Sequence, residues 1–96
     1  MRSVCATAIA LASIAAAVTA SAEPPAGAAS CSGCHPSAAR VQSPVIRLAG
    51  RDRAETIKAM QDFRSGARTG TVMDRIAKGF TDAEIQAIAA WYAAQR

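Results

Sequence analysis

Two cysteines three positions apart, followed at once by the only histidine of the chain, stand at Cys31-Ser32-Gly33-Cys34-His35. What precedes them makes this pair decisive for the fold. Met1 and Arg2 lead into a nearly continuous apolar run from Val4 to Val18, and Ala20-Ser21-Ala22 closes it. A basic start, an apolar middle and a small-x-small finish describe a secretory signal peptide cut after Ala22. The run is rich in alanine, interrupted by Thr7, Ser13 and Thr19, and shorter than the roughly 20 residues a membrane span needs. Cys5 comes too early for a lipid-anchored cysteine after a full apolar segment. The expected organisation is therefore residues 1–22 as a removed leader and residues 23–96 as one exported domain. That domain has 74 residues, with ten basic against seven acidic side chains and a net charge of +3. Chains below about 70–80 residues rarely bury enough apolar surface to fold without a staple. A bridge between Cys31 and Cys34 would close only a tiny loop and stabilise little. Something other than a disulfide must hold this domain together.

The hydrophobic pattern beyond the leader is helical, and nothing reads as a strand. Ala28 to Cys34 allows a turn or two of helix, and residues 36–50, with Pro36, Pro44 and Gly50, read as a loop wrapped over something. A helix is expected over Asp52 to Ser65, capped by Asp52 and stopped by Gly66, with Ala54, Ile57, Met60 and Phe63 on one side. Residues 66–72 form a second loop. Asp74 to Lys78 allows one more turn before Gly79. In the last helix, Thr81 and Glu84 have capping-box spacing, and Phe80 and Ile85 stand where the accompanying hydrophobic staple sits. Ile85, Ile88, Ala89 and Tyr92 then recur at helical spacing as one stripe.

Cys31 to His35 is the C-x-x-C-H pattern of covalent haem attachment. Two thiols at this spacing reach the two vinyl groups on one edge of a porphyrin, and the next residue presents its imidazole to the iron. Gly33 is read as letting the backbone turn tightly between them. The pattern follows an export leader, uses both remaining cysteines and the sole histidine, and supplies the missing core as a large flat apolar group. Zinc is disfavoured, since it takes four ligands and there is one pair and one histidine. A thiol–disulfide redox pair is disfavoured because no strand-helix setting is visible. For a sixth iron ligand the candidates are Met60 and Met73. Met60 lies beside Ile57 and Phe63 on the apolar side of a helix, where a core filler fits. Met73 follows the loop Arg68-Thr69-Gly70-Thr71-Val72, which favours it. His/Met ligation raises the reduction potential and closes the iron to small ligands, which points to electron transfer rather than oxygen chemistry. Trp91 and Tyr92 read as helix packing at the pocket edge. The basic stretch Arg47, Arg51, Arg53, Lys58, Arg64 and Arg68 reads as solvated surface, with a docking face or partners for haem propionates as the functional alternative. No paired carboxylates, activated serine or phosphate loop is present, so the chain is not expected to be an enzyme by itself.

These residues resemble class I cytochromes c: a C-x-x-C-H near the start, a methionine far downstream and a closing helix with an aromatic residue. Leu48-Ala49-Gly50-Arg51, Met60-Gln61-Asp62-Phe63-Arg64-Ser65-Gly66 and the run from Thr71 to Phe80 more particularly resemble the cytochrome subunits of flavocytochrome c sulfide dehydrogenases. The resemblance implies an all-α fold of three to four short helices around one covalent haem c, with the first and last helices crossing. It makes Cys31 and Cys34 the thioether attachments, His35 the proximal ligand and Met73 the distal ligand. It implies a periplasmic flavoprotein partner that oxidises sulfide, passes electrons singly to the haem, and leaves the cytochrome to hand them to a downstream acceptor. A free-standing periplasmic electron carrier is the alternative, and a haem sensor or enzyme with an open distal site a further one. Two departures from the family pattern stand out: Pro36 replaces the glycine that many relatives carry after the histidine. Ile46 replaces a proline two residues before Leu-Ala-Gly, in the segment whose backbone carbonyl supports the histidine.

Overall fold

Local signals fix where the helices begin and end. In the computed structural model, which describes residues 23–96, the chain forms α1 (Ala28–Cys31), α2 (Arg53–Ser65), α3 (Met73–Ile76) and α4 (Asp82–Ala93), with a 3-10 turn at Ala77–Gly79 between the last two. No strand occurs among the described residues, in line with the all-α expectation. The leader read over residues 1–22 lies outside them. The Asp52 carboxylate accepts from the Glu55 amide at 3.0 Å, and Gly66 ends α2 at φ 84. A cap of this kind contributes about 1 kcal/mol. At α4 the Thr81 hydroxyl accepts from the Glu84 amide at 3.2 Å, and the Glu84 carboxylate accepts from the Thr81 amide at 2.8 Å. This is the expected capping box in both directions.

Two shorter elements differ from their sequence expectation. After Cys31 the chain tightens: Gly33 N donates to Ser30 O, and Cys34 N to Cys31 O, three residues back. The Ser30 and Ser32 hydroxyls donate to Gly27 O and Ala29 O, each at 2.6 Å. Such short side chains compete for backbone carbonyls and disfavour a continuing helix. α3, for its part, begins one residue early, so Met73 is its first residue rather than the end of a loop.

The stripe read in α4 is the core. Ile85, Ile88, Ala89 and Tyr92 are all buried, joined by Ala28 and Ala77. α1 packs on α4 as expected: Ala28, Ile88 and Tyr92 form one cluster, flanked by Cys31, Leu48, Phe80 and Trp91. The Tyr92 hydroxyl donates to Ala28 O at 2.6 Å. Burial, and secondarily the neighbouring Cys31, pushes the Tyr92 phenol up, so it stays a donor at neutral pH. α2 is held to the start of α4 by Arg64, which donates to Phe80 O at 3.2 Å and pairs with Asp82. No residue of α2 is fully buried. Its inward face is Glu55, Thr56, Ala59, Met60 and Phe63. This face is rotated from the expected stripe, and Ala54 is exposed.

The approach of α1 to α4 depends on Gly27. It takes φ +85, and a Cβ there would stand 2.6 Å from Phe80 Cε1. Gly33 is different: its φ is ordinary and a Cβ would meet only Ser30 O at 3.4 Å, so the expected need for glycine between the cysteines is not met. Gly27→Ala therefore costs about 2–4 kcal/mol, from left-handed strain plus overpacking. Gly33→Ala changes stability by about 0.5 kcal/mol or less. Denaturant unfolding of the two variants checks the contrast.

Candidate functional site: a cavity closed by the Cys-His segment

A cavity of about 770 Å3 opens where the core ends. It lies within the roughly 300–1,000 Å3 usual for sites that hold an organic group. α1 and the turns after it contribute Cys31, Cys34 and His35. The loop over residues 36–50 contributes Pro44, Val45, Ile46 and Leu48. α2 contributes its inward face, α3 contributes Met73 and Ile76, and α4 adds Ile85 and Ile88. The walls are almost wholly apolar, and their only charged residues are Arg51, Glu55 and Arg68.

His35 is held by the loop that faces it. Its Nδ1 lies 2.6 Å from the Ile46 carbonyl oxygen. A carbonyl can only accept, so Nδ1 carries the proton and Nε2 keeps its lone pair. This contact also locates the supporting carbonyl: the backbone of Ile46 provides it without the proline found in many relatives. The loop is tied down by Gly50 N donating to Tyr92 O at 2.9 Å and by Arg47 Nε donating to Ser37 O at 2.9 Å. His35 N donates to Cys31 O at 2.9 Å, which sets the ring relative to the first cysteine.

Cys31 is half-buried and Cys34 exposed, and neither is bridged. Burial pushes the Cys31 thiol up. The structure brings all four residues singled out in the sequence to one cavity: Cys31, Cys34, His35 and Met73. It also brings Met60 there, so lining alone does not separate the two methionines. Trp91 and Tyr92 do not edge this cavity. They line a smaller one of about 250 Å3, shared with His35, Pro36 and Leu48. The two rings meet edge to face at 4.8 Å. Among the described residues no three His, Cys, Asp or Glu side chains gather as a metal cluster.

A haem fits this site on its own features. The walls offer apolar surface to a flat macrocycle, two unbridged thiols open on the same space, and one imidazole is locked in the tautomer that leaves Nε2 a ligand.

No family model matches the sequence. Over 63 residues it is 40% identical to the cytochrome subunit of sulfide dehydrogenase of Chlorobaculum tepidum, covering 66% of this chain and 57% of that protein. Over 44 residues it is 48% identical to the thiosulfate dehydrogenase electron acceptor of Stutzerimonas stutzeri, covering 46% of this chain and 20% of that protein. Cytochrome c-552 of Acidithiobacillus ferridurans is 36% identical over 61 residues, covering 64% of this chain and 26% of that protein. The chain thus matches a little over half the length of the first relative and about a quarter or less of the others. Fold, site and relatives are alike in resembling the class I cytochromes c, and the paired cysteines at 31 and 34 are consistent with covalently bound haem c. Within that class it is similar to the cytochrome subunit of sulfide dehydrogenase, the particular resemblance its sequence motifs carry.

Proposed function

We propose that this chain is an exported, monohaem electron carrier that accepts electrons one at a time from a flavoprotein oxidising reduced sulfur and passes them to a downstream acceptor. Cys31 and Cys34 would hold the haem through thioethers, and His35 Nε2 and the Met73 sulfur would ligate its iron. Haem bound in this way supplies a reversible one-electron couple. The residues of the chain do the rest. Ile46 O keeps the imidazole oriented, while Leu48, Phe63, Ile85 and Ile88 exclude water from the apolar walls. Oxidation of sulfide belongs to the partner.

The observation that carries this reading is the 2.6 Å contact between His35 Nδ1 and Ile46 O, which frees Nε2 in a cavity that also receives both cysteines. The names of the relatives support the donor class: one is a sulfide dehydrogenase subunit and another a thiosulfate dehydrogenase acceptor. Among the described residues no helix is long and apolar enough to cross a membrane. With the leader cleaved after Ala22, the mature protein is periplasmic and begins at Glu23.

The purified exported protein is expected to show a c-type spectrum that resists acid–acetone extraction, and to begin at Glu23 by N-terminal sequencing. Extractable haem, or none, overturns the reading. A free-standing carrier is the second reading, favoured by the similarity to cytochrome c-552. Co-purification with a flavoprotein, and single-electron reduction by it on addition of sulfide, decides between the two.

A further inference from the structure

Of the six residues of the basic stretch read in the sequence, three are engaged away from the cavity. Lys58 pairs with Asp62 at 2.6 Å, Arg64 with Asp82, and Arg47 with Ser37 O. Arg53 is exposed and does not reach the cavity. Only Arg51 and Arg68 line it. These two are unequal. Arg51 lies 3.8 Å from the Glu55 carboxylate, which offsets its charge. Arg68 pairs with no carboxylate among the described residues, and the nearby Asp62 carboxylate is taken by Lys58.

Arg68 is nevertheless held in place. Its backbone amide donates to Asp62 O at 3.0 Å, and its guanidinium lies 4.8 Å from the centroid of the Phe63 ring. Gly70 makes room for that ring, since a Cβ there would stand 3.0 Å from Phe63 Cε1. A guanidinium stacked on an aromatic face at the edge of an apolar cavity, with its fork of donors unpaired, is prepared for a carboxylate.

We infer that Arg68 is the counter-ion of a haem propionate carboxylate and sets the reduction potential of the haem, with Phe63 and Gly70 holding it in position. The inference rests on the proposed haem site and deepens it. A cation fixed beside the haem disfavours the oxidised, more positive state, so it raises the potential. Arg51 contributes less, because Glu55 offsets it.

The test is a spectroelectrochemical titration of purified holoprotein carrying Arg68→Leu, Arg68→Lys, Arg51→Leu or Arg53→Leu. Arg53→Leu removes the same charge from a residue outside the cavity. Arg68→Leu is expected to keep the c-type spectrum and to raise the ferric-to-ferrous ratio about tenfold at fixed ambient potential, a downward shift of about 59 mV for one electron. Arg68→Lys recovers part of the shift, Arg51→Leu moves the potential less, and Arg53→Leu moves it least. Equal shifts for Arg68→Leu and Arg53→Leu, or none for Arg68→Leu, overturn the inference while leaving the haem reading intact. A wild-type protein without covalent haem overturns that reading instead.

Discussion

Replacing both Cys31 and Cys34 with alanine is expected to yield an exported polypeptide with no covalent haem and no cooperative unfolding transition. Among the described residues only three side chains larger than alanine are buried, those of Ile85, Ile88 and Tyr92. A core in a chain of this size rarely supplies more than about 3–5 kcal/mol. Against it stands a cavity of about 770 Å3. Empty core volume costs about 24 cal/mol per Å3 where the surroundings cannot collapse. Even a fifth of that cost, after collapse of the loop, is on the order of 4 kcal/mol and cancels the core. Far-UV circular dichroism during heating checks this, beside Cys34→Ala, which retains one attachment and should unfold cooperatively at lower temperature. A double variant that stays colourless and still melts in one sharp step would refute the idea that the cofactor completes the core.

Met73→Ala is expected to produce the largest change in redox behaviour. Under the proposed ligation the variant keeps its covalent haem and the His35 imidazole but loses the methionine sulfur, a soft ligand that favours ferrous iron. The midpoint should fall by on the order of 0.2–0.3 V, within the roughly 0.8 V span that axial ligation commands. The near-infrared sulfur-to-iron band should vanish, and carbon monoxide should bind the reduced protein readily. Met60→Ala provides the contrast. Met60 lines the same cavity from α2, and its loss as a packing residue should cost about 2–5 kcal/mol of stability while the band survives. The opposite pattern, with the band lost in Met60→Ala and kept in Met73→Ala, would exchange the roles of the two residues.

The ends of the long helices were legible because their signals are local. Asp52, Gly66 and the Thr81–Glu84 box each act within four residues, and the α4 stripe is pure periodicity. The face of α2 was misjudged for the opposite reason. Its inward side is chosen by a space that α1, the loop and α3 enclose together, and Thr56, a polar residue by type, faces it. Gly33 was misread because a glycine between two cysteines suggests an unusual backbone, whereas consecutive turns of ordinary φ suffice there. The glycine that matters, Gly27, was invisible: its constraint comes from Phe80, 53 positions away along the chain. Of the site, the Cys-His motif could be read directly. The selection of Arg51 and Arg68 from six basic residues could not, because it depends on which side chains the fold turns toward the cavity.

The atom that steadies the His35 ring belongs to the main chain. A substitution at position 46 changes what the loop shows to solvent without deleting the acceptor, so the imidazole keeps its orientation whatever side chain stands there. The vulnerable point lies elsewhere, in the path of the loop itself. Shortening residues 36–50, or cutting the tie from Gly50 to the end of α4, would let the ring rotate even though every ligand-bearing residue remained in the sequence.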